Sequence, residues 1–183
     1  MPVSAYEFEK RLVFYASPTL VKLKAASMFN LNDLDDIEDC VDYYNNLLND
    51  KGIYLKILTI KDRNMIYVYQ KDKLDRLCCC KQRQNIFKKY NYNCTSLDSL
   101  FFDLQIRLNN FGFPHEIGLF LGYPLSDVVA FIEGKQHLSV GYWKVYSHVK
   151  NCKQTFDKYH KCTNELCKRF NNGENIEQIC KFI

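Results

Sequence analysis

Apolar residues recur along this chain at two spacings, and the change from one to the other predicts several helices and a few strands. From Leu34 to Leu48 the apolar set Leu34, Ile37, Val41, Tyr44, Leu47 and Leu48 returns every three or four residues, the period of a helix with one buried face. The acids near its start suit the positive end of the helix dipole, and Gly52 ends it. Before it, Tyr6 to Tyr15 reads as a short helix. Ser17 followed by Pro18 then predicts the N-cap and first turn of a second helix, which carries Leu20, Leu23 and Met28 toward a core. The spacing changes at Ile53. Ile53–Ile60 and Asn64–Gln70 are rich in β-branched and aromatic residues, and Lys61-Asp62-Arg63 between them has the length of a hairpin loop. This predicts a β-hairpin over about 53–70.

Lys71 to Tyr90 returns to helical spacing, broken by the turn-prone Tyr90-Asn91-Tyr92-Asn93. Ser96 can cap a helix through Leu97, Leu100, Phe101, Leu104 and Leu108. The run from Pro114 to Pro124, with Gly118 and Gly122 inside it, is the most unusual in the chain. Within it Ile117–Leu121 is read as a short buried strand or extended segment. Pro124–Glu133 follows as a helix, Val140–Tyr146 as another strand, Val149–Phe170 as a long helix and Asn175–Phe182 as a terminal one. The resulting fold class is α+β. A small mixed or antiparallel sheet, made of the hairpin about 53–70 with strands near 117–121 and 140–146, is packed by several helices. At 183 residues, without repeats or a long linker, residues 1–183 are expected to form a single domain.

Charge narrows the partners. The net charge of +4 is modest, yet it is segregated: Asp33 to Asp50 contains seven acids and no base, while Lys71 to Lys89 and Lys144 to Arg169 each contain seven bases. Solvated helix faces account for this, and no RNP, zinc-finger or helix-turn-helix signature points to nucleic acid. No apolar run approaches the roughly 18 to 20 residues that span a bilayer, so membrane insertion is not expected. Glu7, Glu9, Lys10 and Arg11 stand ahead of the first apolar stretch, unlike a secretory leader, and the expected location is cytoplasmic.

Nine cysteines, an odd count in such a chain, read as reduced thiols. Cys78-Cys79-Cys80 are consecutive, Cys94 stands alone, and His148, Cys152, His160, Cys162, Cys167 and Cys180 follow without a CxxC pair. Cys162 and Cys167 would lie about 140° apart around a helix. The spacing assigns no metal site.

The run Pro114-His115-Glu116-Ile117-Gly118-Leu119-Phe120-Leu121-Gly122-Tyr123-Pro124, followed by Asp127-Val128, Phe131-Ile132-Glu133 and Gly141-Tyr142-Trp143-Lys144-Val145-Tyr146, resembles an uncharacterised bacterial family. It is catalogued as domain of unknown function 3793 and met chiefly in anaerobic Gram-positive bacteria. Ser17-Pro18-Thr19-Leu20, Leu23-Lys24, Ile66-Tyr67-Val68-Tyr69, and Tyr159 with Lys161-Cys162 extend the likeness over nearly the whole chain. The resemblance implies kinship and no chemistry. In two places this chain departs from the pattern: Tyr15-Ala16 stand where the family has a His-Cys pair, and Val140 where it often has Cys. A cysteine mechanism shared by the family would be incomplete here.

His115 and Glu116 offer a proton shuttle and a carboxylate, or else a brace for the turn between Pro114 and Gly118. Neighbours in an extended segment face opposite ways, and Leu119 occupies the place of the second His of HExxH. Gly-Leu-Phe-Leu-Gly is no nucleotide cradle. On a strand, Tyr142 and Tyr146 would share one face and Trp143 take the other, as core or as an aromatic wall for a flat ligand. The ligand-binding candidates are therefore His115, Glu116, Gly118, Tyr123, Tyr142, Trp143 and Tyr146. They serve a small ligand-binding, regulatory or interaction domain whose partner is an unspecified small molecule or protein. The alternatives are an enzyme using His115 and Glu116 in acid-base chemistry or metal binding, and a thiol, metal or haem-associated protein. The sequence names no cofactor.

Overall fold

The predicted hairpin forms: β2 (Ile53–Ile60) and β3 (Arg63–Gln70) pair antiparallel, with Ile57 opposite Ile66 and Leu55 opposite Val68. The turn between them is Lys61-Asp62, and Lys61 takes the left-handed conformation that such tight turns require. In this computed structural model residues 1–181 are described, apart from the side chain of Cys78. Phe182, placed by the sequence in the terminal helix, lies outside the described residues. The chain divides into two compact units, Met1–Lys71 with Tyr159–Ile183, and Asp72–Lys158. The fold is α+β, with several helices and only short antiparallel sheets.

In the first unit a third strand, β1 (Ala26–Asn30), pairs with β3 so that the sheet order is β1-β3-β2. This corrects the second helix expected after Ser17. A single helix, α1 (Ala5–Leu20), runs through Pro18, which sits in its last turn. The turn survives because the Ser17 hydroxyl donates to the Val13 carbonyl and the Pro18 carbonyl accepts both Leu23 N–H and Lys24 N–H, at 2.8 and 2.9 Å. Lys22, at positive φ, then redirects the chain into β1, where Met28 faces Tyr67 across the ladder.

The predicted acidic helix is α2 (Ile37–Leu48), which a 3-10 turn over Asn49–Lys51 joins to β2. Phe8 and Leu12, Tyr44 and Leu48, and Ile66 and Val68 bring α1, α2 and the sheet into one core, with Leu166, Phe170, Ile176 and Ile179 from the end of the chain. Each such side chain, fully buried, contributes roughly 1.5–3 kcal/mol. Polar ties fix the directions. Tyr44 stacks on Phe8 at 5.3 Å while its hydroxyl donates to the Ala5 carbonyl, and Glu9 accepts the backbone N–H of Ile176.

Beneath the exit of α1 lies a small buried polar group. Thr19 Oγ1 is 2.8 Å from Ser27 Oγ, Lys24 Nζ is 3.4 Å from the same oxygen, and the Gln70 amide donates to the Thr19 carbonyl. Burial lowers the Lys24 ammonium from 10.5 to about 8, since charge is disfavoured away from water.

In the second unit the helical stretch after Lys71 is two helices, α3 (Lys71–Cys79) and α4 (Lys81–Lys89), separated by the extended Cys80. The predicted cap of α5 (Leu97–Phe111) is present, with Ser96 Oγ accepting Ser99 N–H at 3.1 Å. Phe87, Tyr92, Phe101 and Phe120 meet ring to ring, with Phe120 5.2 Å from Phe87 and 6.1 Å from Phe101. Phe120 comes from a helical turn, α6 (Ile117–Phe120), where the sequence predicted a strand near 117–121. A short apolar run fits either state; here the Ile117 carbonyl accepts Leu121 N–H at 3.1 Å, closing a helical turn after Pro114.

The next helix is α7 (Leu125–Ile132). The strand expected near 140–146 is instead a separate two-stranded hairpin, β4 (Ser139–Val140) and β5 (Lys144–Val145), turning through Gly141-Tyr142-Trp143. Glycine is required at the turn because a Cβ on Gly141 would enter the ring of Phe156. That ring belongs to the long predicted helix α8 (Val149–Asn171), and the terminal α9 (Ile176–Ile179) begins with a capping box between Asn175 and Gln178. Among the described residues no helix is long and apolar enough to cross a membrane.

Candidate functional site

The unusual Pro114–Pro124 run separates its two adjacent polar residues by folding as a turn. Glu116 is fully buried, and its Oε1 accepts the Tyr92 hydroxyl at 2.9 Å and Arg107 Nε at 2.5 Å. The Arg107 guanidinium lies over the Tyr90, Tyr92 and Phe111 rings, at 4.8, 5.5 and 5.5 Å from their centroids. Burial and the neighbouring Glu116 carboxylate push the Tyr92 phenol far above its ordinary value, so it stays a proton donor to Glu116. This is an ion pair that holds α5 to the turn before α6.

His115 lies on the other side of the turn, exposed, with its ring edge-on to Phe131 at 5.0 Å. There it borders a concave pocket of about 290 Å³. Ile117, Leu121, Val128 and Phe131 line its apolar part, Tyr123 and Trp143 form an aromatic wall, and Lys144 stands at its edge. Tyr123 and Trp143 stack at 5.2 Å with 29° between their planes. Gly118 lines the pocket as well, and it has no room for a side chain: a Cβ there would come within 2.9 Å of Val128 Cγ2 and 3.0 Å of Tyr123 Cδ2.

Asp127, in the first turn of α7, sets the indole. Its Oδ2 accepts Trp143 Nε1–H at 2.8 Å, and its Oδ1 accepts the backbone N–H of Tyr146 at 3.1 Å and the Ser147 hydroxyl at 3.4 Å. The carboxylate is buried and its lone pairs are committed to the β4–β5 hairpin and the residues after it. An edge contact of Trp143 with Phe156 at 4.5 Å fixes the other side of the ring.

Of the residues singled out by sequence, the structure brings His115, Gly118, Tyr123 and Trp143 to one pocket. Glu116 is not among them. Tyr142 packs on Phe156 at 5.7 Å, so it shares a ring with Trp143 and does not oppose it across a strand; a turn, unlike a strand, does not alternate its side chains. Tyr146 contributes its backbone N–H to Asp127, and its ring meets His137 at 6.5 Å. Sequence reasoning did not nominate Asp127, Phe131 or Lys144 as site residues. A readable signal for Asp127 was available: the single indole N–H of the chain needs an acceptor when half-buried.

A protein-family model described as "Protein of unknown function (DUF3793)" matches residues 12–180. The chain belongs to this family. The stretch that matches the family includes every residue of the pocket. No curated protein and no solved structure matches the chain.

No cysteine with a described side chain lines the pocket. Those whose side chains are described are free thiols, and among the described residues no three His, Cys, Asp or Glu side chains form a group that could hold a metal ion. Burial raises Cys40, Cys162 and Cys180 from 9.0 to about 11, which keeps them protonated and weakly nucleophilic at neutral pH. Cys152 packs with Val145 and Phe156 beside the hairpin.

Proposed function

We propose that this protein is a small-ligand-binding domain, regulatory in role and cytoplasmic, whose site is the pocket between α6, α7 and the β4–β5 hairpin. One observation supports this reading above others. Two exposed polar side chains, His115 and Lys144, converge on Phe131 at the edge of an apolar pocket, while the acid in its lining, Asp127, is committed to holding Trp143. A concave apolar site with a few polar groups at its rim is the usual form of a small-molecule site. The hydrogen-bonded indole gives it a preset wall, which lowers the ordering cost of binding. The acid-base alternative receives no such support, because Glu116 is engaged by Tyr92 and Arg107 and shares no hydrogen bond with His115.

Trp143 is the single tryptophan of the chain, so one indole N–H resonance in a nitrogen-15 correlation spectrum reports on the pocket wall. Ligands of the site are expected to shift that resonance in a saturable way. A diverse set of soluble fragments that leaves it unmoved at millimolar concentration overturns the reading.

A further inference from the structure

Resting on that pocket, we infer that its ligand is a small planar aromatic anion, one or two fused rings carrying a carboxylate or a phosphate. Size gives the first limit. About 290 Å³ stands just below the usual range for small-molecule sites, roughly 300–1,000 Å³, so the pocket suits a compact ring system. Shape gives the second. The Tyr123 and Trp143 rings, stacked on each other, line one side of the pocket, Asp127 holds the indole in place, and the missing Cβ of Gly118 lets Val128 and Tyr123 approach closely. A flat π-system packs against such rings by offset or edge-to-face contact.

Charge supplies the third argument. Lys144 Nζ lies 5.1 Å from the Phe131 centroid, and among the described residues no carboxylate pairs with it. His115 rests on the same ring, and neither of its nitrogens has a hydrogen-bond partner among the described residues. Glu133, the acid that follows Phe131 by two residues, is paired with Lys135 at 2.7 Å. The acid within the pocket lining, Asp127, already accepts from Trp143, Tyr146 and Ser147. The rim is therefore rich in donors and holds no uncommitted acceptor charge. A cationic ligand would meet Lys144 without a counter-charge, whereas an anionic group on an aromatic body would find two donor side chains that both contact Phe131.

The test is calorimetric titration of the full chain with naphthoate, naphthyl phosphate, the neutral naphthamide, naphthylmethylammonium and inorganic phosphate. One of the two aromatic anions is expected to bind roughly tenfold or more tightly than naphthamide, and which one it is assigns carboxylate or phosphate as the head group. Inorganic phosphate and the ammonium compound are expected to bind far more weakly. Lys144→Gln, at an exposed position, is expected to erase the preference for the anion over naphthamide, with an unaltered melting temperature. Naphthamide or the ammonium compound binding as tightly as the anions overturns the inference and leaves the pocket reading standing. Inorganic phosphate binding as tightly overturns the aromatic half of it. Absence of binding by every naphthalene compound, together with an unmoved Trp143 resonance, removes the pocket reading itself.

Discussion

Asp127 accepts the indole N–H of Trp143 at 2.8 Å, and through this bond a helix fixes the pose of a ring carried by a three-residue turn. Sixteen positions separate the two residues, and no regular sheet holds the turn beyond two short strands. The carboxylate thus substitutes for the rigidity that a longer sheet would supply. Asp127→Ala would leave the indole, the Tyr146 amide and the Ser147 hydroxyl without their acceptor. It is expected to cost about 2–4 kcal/mol in urea denaturation, with Asp127→Asn costing less because one acceptor oxygen remains. A loss below about 0.5 kcal/mol for the alanine variant would contradict the role assigned to this residue.

Gly118→Ala tests the closeness of the pocket walls. The added methyl would meet Val128 and the Tyr123 ring inside normal contact distance, and overpacking of this kind costs about 1–3 kcal/mol. Because both displaced side chains line the pocket, ligand affinity is expected to fall with stability. Unchanged chemical denaturation would show that the walls move apart freely.

The buried Glu116–Arg107 pair predicts a different pattern. Glu116→Ala strands the Arg107 guanidinium and the Tyr92 hydroxyl, and breaking a buried pair at one partner costs about 3–5 kcal/mol. In the double variant Glu116→Gln with Arg107→Met much of that loss is expected to return, as a double-mutant cycle would show. Ligand binding measured on the folded fraction should be unaffected, since Glu116 does not line the pocket.

Lys24 makes stability depend on pH in a defined window. Its ammonium has a value of about 8 in the folded chain against 10.5 when exposed. Below pH 8 both states carry the proton, and the folded state bears the full cost of burying it, about 3 kcal/mol. Between about 8 and 10.5 the unfolded chain binds the proton that the folded chain has released, so stability rises with pH. Raised thiols act in the opposite sense above pH 9, so the quantity to follow is the difference between the wild type and Lys24→Met. That difference is expected to favour the variant at pH 7 and to shrink steadily from pH 8 to 10.5, measured by urea midpoints. A constant difference would refute the assignment.

Long periodic segments were legible in the sequence for a simple reason: α2, α5 and α8 each bury one stripe over several turns, and the β2–β3 hairpin has alternating partners at fixed distance. Segments of five to seven residues were not. Ile117–Leu121 is apolar throughout, so no period separates strand from helix, and the choice falls to a backbone bond after Pro114. Ser17-Pro18 carries the signature of a helix start, yet the helix already running from Ala5 passes through it and ends at Leu20, just before Lys22 turns the chain. At the site, His115, Gly118, Tyr123 and Trp143 were readable because their residue types are conspicuous. Lys144 and Asp127 were hidden by ordinariness: one is a base among seven in its stretch, the other an acid in the first turn of a helix, where acids are common.

The first unit is built from both ends of the chain, and this bears on the order of events during synthesis. Its core needs Leu166, Phe170, Ile176 and Ile179, and Glu9 accepts a hydrogen bond from Ile176, a separation of 167 residues. A ribosome adding residues one by one presents α1, the sheet and α2 long before those partners exist. The intervening unit is continuous in sequence, and its contacts are available as soon as Lys158 has emerged. The inserted unit is thus poised to mature first, while the unit that contains the N-terminus waits for the last turns of the chain to close over Phe8 and Tyr44.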